Sequence, residues 1–358
     1  MSQVPPSQSA PSWPDLLTRL QQRQDLTRAD TSWAMDRVMS GETSPTILAA
    51  FLLALSTKGE TVAELRGLAD TMLAHAVPIQ VDGESIDVVG TGGDRHQSVN
   101  ISTMAAIVVA GTGRQVVKHG NRAASSASGS ADVLEAAGVR LDLPPQRSAE
   151  LAAEVGIAFL FAAHYHPAMR HAGPVRAELK VPTAFNVLGP LTNPAQPRAG
   201  AVGVGNARMA PLMAGVLAER GHSSLVFRND DGLDELAPTA TGTVWETTAA
   251  TGGQVIEQRL DAVAELGLAP ATIAQLRGGD ARTNARLMRE FLAGSGGPIR
   301  ETVLLNAAAA LVADGRLAGT VTGTLSQRLT AALSHCAQAV DSGAAAQVLD
   351  RWVIASQA

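Results

Sequence analysis

Cysteine is almost absent from the 358-residue sequence: only Cys336 is present, which excludes an intramolecular disulfide and any multi-cysteine metal site. That usage fits a reducing compartment. Aromatic residues are also scarce at 3%, so the core must rest on Ala, Val and Leu, for which a hydrophobic content of 46% is ample. There is no surplus of positive charge. Lys and Arg number 28 against 33 Asp and Glu, giving a net charge of −5, so nothing points to nucleic acid or a membrane surface as partner. No apolar run reaches membrane-spanning length, and the opening MSQVPPSQSAPSW lacks the basic-then-apolar order of a secretory leader. These absences predict a cytoplasmic globular protein of about two domains, in which any anion site is local.

The patterning divides the chain. Residues 1–13, rich in Pro, Ser and Gln, read as a disordered tail. Residues 14–80 carry apolar positions at three- and four-residue spacing, broken at Gly41 and Gly59 and closed by the linker VPIQVDGES, which predicts a small all-helical domain. Short β-branched runs then alternate with helical stretches: IDVV, RQVVK, IAFLFA, AGAVGV and SSLVFR, interleaved with STMAAIVVAG, SADVLEAAG and MAPLMAGVLAERG. Such βα units predict an α/β fold, a mainly parallel central sheet with helices on both faces. Residues 167–194 fit no βα unit and are expected to join the helical domain. The α/β domain is left with 81–166 and 195–358, helical from Asp280 onward.

Three polar loops follow predicted strands, the position at which open α/β sheets bind ligands. In GTGGDRHQSVNIST, the glycines Gly90, Gly92 and Gly93 allow close backbone approach, and Asn100, Ser102 and Thr103 start the next helix, so the stretch suits a phosphate or pyrophosphate. A dinucleotide fingerprint needs Gly where Arg95 stands, and a Walker ending is absent. A plain glycine-rich turn is the competing reading. KHGNRAASS supplies Lys118 and Arg122 to neutralise phosphate, with Ser125 and Ser126 as hydrogen-bonding groups, against a solvated surface loop. NDDGLDEL places four carboxylates in six positions, hard oxygen ligands suited to magnesium, of which Asp234 and Glu235 could also serve a pyrophosphate; the alternative is an acidic turn in water. No nucleophile elbow or metal-spaced histidines occur. The chemistry is therefore expected to be group transfer by positioning and charge neutralisation.

Taken in order, GTGGD, NIST, KHGNRAASS with GSADVLEAAGV, HPAMRHAGPVRAEL, FNVLGPLTNP and DGLDEL resemble the anthranilate phosphoribosyltransferase family over about Trp33 to Gly343. GETSPTILAAFLLALSTKGET resembles that family's helical domain. The resemblance implies a nucleoside phosphorylase/phosphoribosyltransferase-like fold, an active site in the cleft between two domains, and a homodimer through the helical domains. It implies that 5-phosphoribosyl pyrophosphate (PRPP) is held by Gly90, Gly93, Asp94, Ser98, Asn100, Ile101, Ser102, Thr103, Lys118, His119, Gly120, Asn121, Arg122, Ala123, Ala124, Ser125, Ser126 and Ser130. Anthranilate would meet Gly90, Asn121 and Arg176. Two Mg2+ ions are implied, one on Ser102 and Glu235 and the other on Asp234 and Glu235. Arg95 and Ser98 stand where many members have Gly and Thr; Ser98 keeps the hydroxyl, and Arg95 adds a cation near the cradle. Among rivals, pyrimidine nucleoside phosphorylases share the fold but lack the KHGNR spelling. A paralogue with another acceptor or a nucleic-acid partner is opposed by Asn121, Arg176 and the negative charge, and a structural scaffold has no use for these polar loops.

Overall fold

Thr27 and Thr61 each start a helix by a reciprocal cap. The Thr27 hydroxyl accepts from Asp30 N at 3.1 Å while Asp30 takes the Thr27 amide at 2.8 Å, and Glu64 repeats the arrangement with Thr61. The structure is a computed structural model describing residues 10–123 and 127–358. The expected tail therefore lies outside it up to residue 9, whereas Trp13 opens α1 (Trp13–Gln21) with Ser12 as its cap. Next come α2 (Arg28–Met39), α3 (Pro45–Lys58) and α4 (Val62–Ala74). Together with Ala168–Leu188, which carry α9 (Gly173–Leu179) and α10 (Phe185–Leu188), the described residues up to His75 form one compact unit. Its core holds Leu16, Met35, Phe51, Leu55, Leu65 and Leu68. Gly67 lets α2 and α4 touch, since a Cβ there would lie 2.1 Å from Thr31 Oγ1.

The second unit, Ala76–Pro167 with Gly189–Ala358, is built on seven strands. These are β1 (Ile86–Gly90), β2 (Val116–Gly120), β3 (Ile157–Phe161), β4 (Ala199–Gly203), β5 (Ser223–Asn229), β6 (Gly242–Glu246) and β7 (Ile256–Leu260), in the order β3-β2-β1-β4-β5-β6-β7. The first five run parallel, as their apolar sequences predict for strands covered on both faces. The last two, which the sequence reading did not identify, extend the sheet antiparallel. The helices are α5 (Ile101–Gly111), α6 (Ser130–Ala137), α7 (Pro145–Val155), α8 (Ala162–Tyr165), α11 (Met209–Glu219), α12 (Ala262–Leu266), α13 (Ala281–Leu292), α14 (Pro298–Asp314), α15 (Leu325–Asp341) and α16 (Ala344–Ser356). α5 and α14 are buried on nearly every side, which their alanine- and valine-rich sequences permit. No helix among the described residues is long and apolar enough to cross a membrane.

The chain winds one way from β1 to β2 and β3 and the other way through β4 and β5. The reversal falls between β1 and β4, so the crevice beyond the carboxyl ends of these strands is the natural ligand position.

Candidate phosphate and metal site

At that reversal Gly90 and Gly203 are register partners, and Thr91 N donates to Gly203 O at 2.9 Å. A cavity of about 560 Å³ opens beside them, between the loop after β1, the start of α5, the end of β2 with its loop, and the Asp234–Glu235 pair. Its size is that of a small-molecule site. The lining includes Gly90, Gly93, Asp94, Ser98, Asn100, Ile101, Ser102, Lys118, His119, Gly120, Asn121, Arg122, Ala123, Ser130, Asp234 and Glu235. Thr103 is not among the lining residues: it is buried, and its hydroxyl finds no partner. Ala124, Ser125 and Ser126 lie outside the described residues. Arg176 belongs to the helical unit, where its guanidinium lies 5.5 Å from the Phe185 ring centroid. Ser128 and Gly129 line the cavity without having been singled out by sequence. The signal for them was the glycine directly before α6, where a Cβ would lie 2.3 Å from Ala123 N.

Asn100 caps α5 by position but not by side chain. Its Nδ2 donates to Ser128 O at 3.0 Å and its Oδ1 accepts from Asn284 at 2.8 Å, so the amide ties the first loop to the second and to α13. Lys118 rises from β2 into the interior, donating to Val88 O and to Ser102 Oγ at 3.1 Å. Burial lowers its pKa to about 8 against the opposing pull of Asp87, Glu235 and Asp234. Asp87 is itself pushed up to about 6 by burial.

Of the four acids in the third loop, two are used structurally. Asp230 pairs with Arg259, and Asp231 accepts from Leu233 N at 3.2 Å and from His96 through its carbonyl, also at 3.2 Å. The other two, Asp234 and Glu235, meet Asp94 of the first loop, with one ligand oxygen from each within 4.8 Å of the others. The sequence reading had put Asp94 with PRPP alone; its place in this acidic cluster emerges only from the fold. Burial, then mutual repulsion among the three acids, raises the Asp234 and Glu235 pKa values above the usual carboxylate range. Asp94 Oδ2 and Glu235 Oε2 are buried without a donor. Hard oxygens crowded in this way, facing a buried lysine, fit a divalent cation such as magnesium.

Arg122 is engaged in the second loop. Its guanidinium meets Asp132 at 3.0 Å and grips Glu135 through both terminal nitrogens, above the Phe161 ring. Asp132 also accepts from Ala123 N at 3.0 Å and Gly129 N at 2.8 Å, drawing the two ends of the loop together.

Residues 14–76 match the helical bundle domain of a glycosyl transferase family, and residues 82–346 match its a/b domain. The anthranilate phosphoribosyltransferase of Arthrobacter sp. (strain FB24) is 56% identical, covering 98% of each chain, and that of Streptomyces griseus is 55% identical over 98% of this chain and 97% of its own. Among solved structures, the enzyme of Thermus thermophilus superposes with a TM-score of 0.86 at 40% identity, covering 96% of this chain and all (100%) of its own. The Saccharomyces cerevisiae enzyme in complex with PRPP and Mg gives 0.84 at 25% identity, covering 96% of this chain and 98% of its own. Full-length similarity of this degree, joined to a cavity of small-molecule size lined by acids and cations, means that the chain belongs to the anthranilate phosphoribosyltransferase family.

Proposed function

We propose that the chain transfers the 5-phosphoribosyl group of PRPP to the amine of anthranilate, giving N-(5-phosphoribosyl)anthranilate and pyrophosphate, the second step from chorismate to tryptophan. The observation that carries this reading is the meeting of Asp94, Asp234 and Glu235 opposite buried Lys118, inside one cavity at the sheet's switch point. Bond making and breaking both occur at C1 of the ribose: the bond to the pyrophosphate oxygen breaks with its electron pair staying on pyrophosphate, the bond to the anthranilate nitrogen forms from the amine lone pair, and the now acidic N–H proton passes to solvent. The aromatic amine is neutral near pH 7, so the chain needs no dedicated base to activate it.

What remains is binding and orientation. Lys118 and Arg122 supply positive charge to the phosphates, the glycines of the first loop admit them, and Ser98, Ser102 and Ser130 offer hydroxyls. Gly90 and Asn121 take anthranilate, and Arg176 takes its carboxylate. Asp234 and Glu235, with Ser102, hold two magnesium ions, and Asp94 adds a third carboxylate to the set. Magnesium, when bound, neutralises charge on the departing pyrophosphate. The family resemblance further implies a cytoplasmic homodimer formed through the helical domains.

A fluorescence assay following loss of anthranilate emission tests the reading. Turnover requires PRPP and magnesium, stops with EDTA and resumes when magnesium is restored in excess. Asp234→Asn lowers kcat/KM by about 100-fold or more, a typical loss for a group serving the transition-state charge. Folded protein that leaves anthranilate untouched under these conditions would mean another acceptor.

A further inference from the structure

Between Gly92 and Gln97 the backbone repeatedly enters the left-handed region, with φ of 65° at Gly92, 83° at Gly93, 65° at Arg95 and 56° at Gln97. Glycine adopts this conformation freely, whereas a side chain there crowds the backbone. Arg95 therefore occupies a position that glycine would fill without strain, and what it adds over glycine is a cation. The segment around it is fixed: His96 Nε2 donates to Asp231 O, Gly278 N donates to Gln97 O at 2.9 Å, and Ser98 bridges Arg277. The side chain is exposed and lines the cavity. Among the described residues no carboxylate holds it, whereas the other two cations of the lining are engaged, Arg122 by Asp132 and Glu135 and Lys118 by Val88 O and Ser102. Its sequence neighbour Asp94 belongs to the acidic cluster, the end of the cavity assigned to magnesium in the reading above.

We propose that Arg95 is a specificity-determining cation of the cradle that grips the pyrophosphate end of PRPP and the pyrophosphate product. The inference rests on the phosphoribosyl-transfer reading above. A guanidinium binds adjacent phosphate oxygens in a fork, and an Arg without a carboxylate partner gives up no ion pair to do so. The chain thus accepts a strained residue in return for tighter hold on the leaving group.

Calorimetric titration of the full chain with magnesium pyrophosphate, and separately with ribose 5-phosphate, tests this in wild type and in R95G, R95A and R95K. Pyrophosphate binding weakens by about tenfold in R95G and R95A, the scale of one charge-assisted contact, and by much less in R95K. Ribose 5-phosphate binding stays within about twofold of wild type. R95G, relieved of the left-handed side chain, melts no lower than wild type. Pyrophosphate affinity unchanged in R95G and R95A overturns the proposal, as does equal weakening of both ligands, which would mean a disordered loop. Wild type that binds neither magnesium pyrophosphate nor ribose 5-phosphate overturns the functional reading along with it; wild-type binding indifferent to Arg95 overturns only the role of Arg95.

Discussion

Asp234 comes so close to the ends of β1 and β4 that both strands must finish in glycine. A Cβ at Gly90 would stand 2.5 Å from the Asp234 carboxylate, and one at Gly203 would stand 1.6 Å from its backbone oxygen. Gly203→Ala therefore has to push the acidic loop away, and we expect a lower melting temperature with a steep loss of magnesium-dependent turnover, whereas a neutral effect on both would show that the loop can shift freely. Gly90 was legible in the sequence because it sits in a glycine cluster. Gly203 was not, since in AGAVGV it looks like a small residue of an ordinary strand, and its reason lies in a loop that reaches it only in the fold. Arg176 enters through the family resemblance alone, and its test is a division of labour: Arg176→Ala raises KM for anthranilate by tenfold or more (about 1.4 kcal/mol per tenfold) and leaves KM for PRPP nearly unchanged. An equal rise for both substrates would refute it.

At the scale of elements, the five parallel strands were readable because each is a short apolar run in a series that alternates with helical stretches. β6 and β7 were not, because GTVWE and IEQRL mix charge with apolar residues and belong to no βα unit. Beyond the antiparallel ladders that join them to β5, a buried ion pair ties them to α15. Glu246 at the end of β6 receives both terminal nitrogens of Arg328 from α15, the second at 2.8 Å, and also accepts from Gln258 of β7 at 2.8 Å. Both side chains are almost completely buried, at 0% and 3% exposure. Removing one partner strands the other charge in the interior, so Arg328→Ala should cost about 3–5 kcal/mol. Urea unfolding of Arg328→Ala beside the double variant Arg328→Met/Glu246→Leu separates the pair's net worth from that penalty. The double variant is expected to be the more stable of the two, and the reverse order would contradict a buried unpaired charge.

Stability of the whole molecule against pH is set by buried groups acting in opposite directions. His119 donates Nδ1–H to Gly189 O at 3.0 Å, and His166 donates Nε2–H to Thr192 O at 2.9 Å, which leaves His119 Nε2 and His166 Nδ1 buried without partners. The rings lie 5.1 Å apart, so protonating both would place two cations together beside Lys118. Burial holds His119 down to about 3 and His166 to about 4. A depressed folded pKa means that the unfolded chain takes protons first. The stability associated with the neutral rings is full above pH 6.5 and is lost as pH falls toward 4 and then 3. Asp87, raised to about 6 by burial, and the raised Asp234 and Glu235 act the other way, since their contribution is full at acid pH and lost as pH rises through their folded values. A single melting curve mixes the two sets, so the histidine share has to be measured as a difference. His166→Asn keeps a polar group of similar size but cannot titrate. At about pH 7.5 it should be less stable than wild type, and by about pH 4.5 that deficit should shrink by about 2 kcal/mol, because only wild type must then hold an imidazole neutral against solution. Denaturant melts of both proteins across this range decide the matter: a deficit that stays constant with pH would show that burial does not depress the His166 pKa, and one that grows toward acid pH would show a ring already protonated in the fold.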